Sequence, residues 1–99
     1  MAIAALFRIP DMTAAQYDRI IAGLDAAGLS APAGRRLHVA SLTDDGVTVF
    51  GVWDSEEALR SFGARLGPIA ASTGATMPPP EILPVHNVIV DAPLAPALS

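Results

Sequence analysis

Short apolar runs and longer amphipathic stretches alternate along this chain, and their order predicts its elements. Ala2–Ile9 is apolar, too short for a helix and bounded by Pro10, so it reads as a first strand. Thr13 and Gln16 have the spacing of a capping box, whose hydroxyl and amide satisfy the free N–H groups of a helix start. Tyr17, Ile20, Ile21 and Leu24 follow at helical spacing, and Gly28 is suited to close a helix over roughly residues 13–27. Beyond the Pro32/Gly34 loop, Arg36–Thr43 and Val47–Trp53 are strand-like runs joined through Asp44-Asp45-Gly46. With Asp45-Gly46 as a two-residue loop, the glycine supplies a positive φ, Asp44 pairs with Val47 and His38 stands opposite Trp53. Asp54 and Glu57 form a second capping box, and Ala58, Leu59, Phe62 and Leu66 give the next helix its apolar stripe. That helix is expected to end near Gly67-Pro68, with a further short helical turn through Ile69–Ser72. Met77-Pro78-Pro79-Pro80 is extended loop, because consecutive prolines continue neither regular element. Glu81–Val90 is the last strand, and Pro84 marks it as an edge or a bulge.

The resulting order, β-α-β-β-α-β, is the ferredoxin-like split motif, an α+β fold with antiparallel sheet order 4-1-3-2 and both helices on one face. Residues 1–91 make one such domain, and 92–99, rich in Ala, Pro and Leu, read as a flexible or partner-docked tail. Strands one, three and four are apolar on both faces, so a second subunit is expected to cover the side without helices, giving a homodimer. The composition agrees, since 52% hydrophobic residues in 99 is high for a small soluble monomer and calls for further buried surface.

Charge and absent residue types narrow the chemistry. The net charge is −4 and the six cations are scattered arginines, so no nucleic-acid footprint is present. No apolar run has the length to span a bilayer and no signal peptide is apparent, which points to the cytoplasm. Without cysteine there is no disulfide, thiolate catalysis or Cys-type metal site, and without lysine no side-chain Schiff base. The acid–base candidates are therefore His38 in Leu37-His38-Val39-Ala40, His86 in Pro84-Val85-His86-Asn87-Val88, Tyr17, and carboxylates in turns or on helix surfaces. For each there is a structural alternative: a core histidine satisfied by backbone or by Tyr17, or a tyrosine that only packs.

The topology gathers Arg8, Tyr17, His38, Trp53, His86 and the Gly67–Pro80 loop into one half of the molecule. Trp53 and Phe62 supply an aromatic wall, and Arg8 or Arg36, the latter beside Arg35, a cation for a polar group, which suits a planar organic ligand. His38 and His86 lie on strands separated by two others, so they do not share a metal within one subunit.

Several stretches, Met12-Thr13-Ala14-Ala15-Gln16-Tyr17, His38-Val39-Ala40, Val52-Trp53-Asp54-Ser55-Glu56-Glu57, Leu66-Gly67-Pro68 and Pro84-Val85-His86-Asn87-Val88, resemble a family of small actinobacterial proteins. That family is similar to the antibiotic-biosynthesis monooxygenases of the dimeric α/β-barrel superfamily, and the resemblance covers about residues 2–90. The superfamily includes cofactor-free monooxygenases, polyketide cyclases and haem-degrading enzymes. The resemblance brings no catalytic residues with it; the aromatic region around the histidines and the lack of cofactor motifs lead us to expect a small cofactor-independent enzyme for a planar, apolar, aromatic or polyketide-like metabolite, with one histidine as general base in monooxygenation, cyclisation or isomerisation. Haem held by a lone histidine is a minor alternative for the cofactor. A non-catalytic dimeric ligand-binding or interaction module is the alternative for the whole chain.

Overall fold

The computed structural model describes residues 1–91, so the expected tail, 92–99, lies outside the described residues. The elements are β1 (Ile3–Pro10), α1 (Ala14–Ala26), β2 (Arg35–Thr43), β3 (Gly46–Trp53), α2 (Glu56–Ser72) and β4 (Glu81–Pro84). The four strands form one antiparallel sheet ordered β2-β3-β1-β4, the expected 4-1-3-2 read from its other edge. Alternation along β1 and β3 sends Ile3, Ala5, Phe7 and Ile9, with Val47, Val49 and Trp53, toward the helices. There they pack with Ile20 and Leu24 of α1 and Leu59 and Ala70 of α2. The opposite face carries Leu6, Phe50, Val39 and Leu83, with Phe50 37%, Val39 44% and Leu83 48% exposed.

Both helix starts are capped, each with a change from expectation. Thr13 Oγ accepts from the Gln16 N–H at 3.0 Å, but the Gln16 amide donates to the Thr73 carbonyl at 3.0 Å and so ties α1 to the end of α2. Ser55, rather than Asp54, caps α2 by accepting from the Ala58 N–H at 3.1 Å. Gly28, at φ 74°, closes α1 as foreseen, with the Leu29 N–H donating to the Leu24 carbonyl.

Three further expectations are corrected. The helix α2 does not stop at Gly67-Pro68 but runs through Pro68 to Ser72. A mid-helix proline costs about 3 kcal/mol; here the following turn buries Ala70 fully and lays Ile69 against Gly23, where a β-carbon would come within 2.8 Å of Ile69 Cγ2. The hairpin turns on Asp44-Asp45, with Thr43 paired to Gly46, so His38 stands opposite Gly51 and not Trp53. Gly46 supplies close approach rather than a positive φ, since a β-carbon there would collide with the Ile9 carbonyl oxygen. Finally, β4 ends at Pro84 instead of Val90. It runs antiparallel to β1, its Pro84 pairs with Ile3, the first residue of β1, and one further bond, Val85 N–H to the Ala2 carbonyl, closes the ladder.

Candidate active site

Where the sheet and the two helices part, they enclose a cavity of about 310 Å³. Its walls are overwhelmingly apolar, and only three lining side chains bring strong polar groups: Tyr17 from α1, and Arg35 and His38 from β2. Tyr17 lies on the inward stripe of α1 with Ile20 and Leu24, which turns its ring toward the sheet. The hydroxyl and His38 Nε2 are 2.6 Å apart, and the rings lie nearly parallel with centroids 6.1 Å apart. In the neutral pair the tautomer decides the direction, the hydroxyl donating to a bare Nε2 or an Nε2–H donating to the phenol oxygen.

Burial holds both members of this pair neutral, and the Arg35 charge adds to that only at His38. His38 is pulled below the usual imidazole range, first by burial and second by the Arg35 cation. Burial pushes the Tyr17 phenol up, Arg35 opposes that, and Asp18 adds to it. A neutral imidazole at pH 7 can accept a proton, which is the state a general base needs.

The register shift creates the room beside it. The partner of His38 across the ladder is Gly51, so no side chain fills the space there. The Trp53 indole lies over that glycine, its Nε1 3.1 Å from where a Gly51 β-carbon would sit. The Phe62 ring meets Trp53 with centroids 5.4 Å apart and continues the wall, and Met77-Pro78-Pro79-Pro80 forms part of the lining between α2 and β4. Tyr17, His38, Trp53 and Phe62 are thus brought together around one space.

The remaining candidates stand outside it. Arg8 is exposed on the face without helices, 3.4 Å from Glu81. Arg36 is exposed and grips both oxygens of Asp54, at 2.6 and 3.0 Å, an arrangement that raises the arginine and lowers the carboxylate. His86 is exposed beyond the end of β4 and does not line the cavity. The sequence offered Arg35-Arg36 as a pair for an anionic group and singled out Arg36, whereas the cavity cation is Arg35. Strict alternation from His38 selects Arg36, but a β-bulge between Arg35 and Leu37 makes Arg36 the extra residue and sets Arg35 opposite Trp53. Nothing in the sequence marks that bulge. Among the described residues no cluster of three or more His, Asp or Glu side chains could hold a metal, and no helix is long and apolar enough to cross a membrane.

Sheet order, helix placement and a cavity between them define a ferredoxin-like α+β domain of the kind seen in antibiotic biosynthesis monooxygenase-like proteins. No protein-family profile matches the chain, and no curated protein matches it in sequence. Solved structures do match. One is a protein of Chloroflexus aurantiacus J-10-fl named for antibiotic biosynthesis monooxygenases, with TM-score 0.62 and 20% identity over 92% of this chain and 100% of that one. SnoaB of Streptomyces nogalater, a cofactor-independent oxygenase, aligns with TM-score 0.58 and 17% identity over 91% and 96%. The monooxygenase ActVA-Orf6 of Streptomyces coelicolor, solved with nanaomycin D, aligns with TM-score 0.56 and 20% identity over 92% of each chain. At these identities the likeness is one of fold.

Proposed function

We propose that this chain is a small cofactor-independent oxygenase-like enzyme that acts on a planar, apolar, oxygenated aromatic of the polyketide type. The observation that carries the proposal is a neutral histidine, bonded to a neutral tyrosine, lining an aromatic-walled cavity. The ligand's ring system stacks on Trp53 and Phe62. With Nε2–H donating to the Tyr17 oxygen, the bare Nδ1 of His38 takes a proton from an activated carbon or phenol of the ligand, and the Tyr17 hydroxyl hydrogen is free to be donated to the oxygen on which the negative charge settles. The electron-rich anion then reacts with dioxygen, and converting an activated CH₂ to C=O consumes one O₂ and releases one water. Support for this outcome over cyclisation or isomerisation comes from the fold shared with SnoaB and ActVA-Orf6. Haem is a poorer fit to the cavity, because His38 is the one histidine lining it and its Nε2 is already engaged by Tyr17.

The apolar face without helices belongs to the same proposal. Leu6, Val39, Phe50 and Leu83 lie on one face of the sheet, and a second copy of the chain covers it in a homodimer.

The test is oxygen uptake with anthrone- and dihydroxynaphthalene-type phenols. Turnover is expected, and His38→Ala should lower it by about 10²–10⁴-fold, the usual worth of a general base. Binding without turnover would leave a ligand-binding module, and undiminished turnover in His38→Ala would remove the proposed base.

A further inference from the structure

Arg35 differs from the paired arginines of this molecule. Arg8, Arg36 and Arg60 each lie within 4 Å of a carboxylate, that of Glu81, Asp54 and Glu56 respectively. Arg35 has no such partner among the described residues; its Nη2 donates to a neutral acceptor, the Ser30 backbone carbonyl, at 2.8 Å. That bond fixes the guanidinium at the start of β2, where it is, among the described residues, the one permanently charged group lining the largely apolar cavity. An arginine keeps its charge under these conditions and presents several N–H donors in a fixed fork. Arg35 is half-buried at the cavity wall with no carboxylate beside it among the described residues, so its guanidinium is available to pair with an anionic oxygen of a ligand.

We infer that Arg35 makes the cavity select its ligand as an anion, so that the ligand is a planar aromatic carrying an acidic oxygen already ionised at neutral pH, such as a hydroxyquinone or an enolised β-dicarbonyl. This rests on reading the cavity as an aromatic-ligand site and specifies which ionic form it takes. The ionised oxygen lies against Arg35, and the ring plane is left to Trp53 and Phe62. His38 is then spared the oxygen-bound proton and remains available for a carbon-bound one. Arg35 is a specificity-determining residue here, acting through charge and its N–H fork.

The experiment uses Trp53, the only tryptophan of the chain, as reporter, with fluorescence quenching by two naphthoquinones of nearly the same shape. One is 2-hydroxy-1,4-naphthoquinone, an acid ionised at pH 7, and the other is its uncharged 2-methoxy counterpart. The hydroxy compound is expected to bind roughly tenfold or more tightly, the worth of one charge-assisted hydrogen bond. Arg35→Met should bring the two within about twofold, Arg35→Lys should keep part of the preference, and Arg60→Met should keep all of it. Circular-dichroism melts of the variants check that each is folded. If Arg35→Met fails to fold, Arg35→Lys and the wild-type ratio still decide. Equal binding of both probes by the wild type, or an undiminished ratio in Arg35→Met, overturns the role of Arg35 while leaving the aromatic site intact. If neither probe quenches Trp53, the aromatic site itself is lost, and the inference with it.

Discussion

The two faces of this sheet are both apolar, yet they are apolar to different ends. On the helix side Ile3, Ala5, Ile9 and Trp53 are at most 7% exposed, while on the other side Val39, Phe50 and Leu83 are 37–48% exposed. The helix side is closed by the chain itself, except where Gly51 and the splay of the helices leave a cavity into which Tyr17, Arg35 and His38 project. The bare side offers a broad apolar surface. A concave apolar space with three polar groups suits a small molecule, whereas a broad apolar sheet face suits another chain. Hydrophobicity alone does not separate these uses; shape and the few polar groups do.

The largest effect expected from breaking this contrast is on stability. Trp53→Ala removes a buried aromatic from the helix side and should cost about 3–5 kcal/mol in denaturant unfolding. On the bare side Phe50→Glu should leave the fold in place but turn a dimer into a monomer, read by sedimentation velocity. A wild-type monomer at micromolar concentration would contradict the covered face. The next effect is pH dependence. The folded His38 ring resists protonation, whereas the unfolded ring takes a proton near about 6.5. The unfolded state therefore binds more protons as pH falls, and the stabilisation present above that pH is lost as pH drops through the folded pKa. Urea midpoints at pH 7 and pH 5, compared between wild type and His38→Phe, should show a smaller fall in the variant. The smallest effect concerns α2. Gly63 lines the cavity, and a β-carbon on it would meet nothing within 4 Å, so Gly63→Ala should raise stability by about 1 kcal/mol through helix propensity alone. An unchanged or lower melting temperature would mean that this glycine has a packing role.

Much of the fold was legible because it rests on local signals. Capping residues at Thr13, helical spacing from Tyr17 to Leu24, the Asp-rich turn and the triple proline each act over a few positions. What was not legible depends on distant partners. β4 stops at its pair with Ile3, the first residue of β1, which leaves His86 outside the ladder. The α2 helix continues past Pro68 because Ala70 and Ile69 find places in the core. The candidate site divides in the same way. Tyr17, His38, Trp53 and Phe62 could be grouped from pattern and topology, but the choice of Arg35 over Arg36 hangs on a bulge, and the open space beside His38 on a two-residue change of register.

The central claim is that His38 stands neutral and bonded to Tyr17 as a base in an aromatic cavity. ¹⁵N NMR of the imidazole nitrogens across pH, with and without a planar phenol, tests it most directly. The account predicts a His38 transition below the usual histidine range, shifted upward by Arg35→Met, with nitrogen shifts that change in Tyr17→Phe and on adding the phenol. A His38 ring that titrates in the usual range and ignores both the substitutions and the phenol would contradict it.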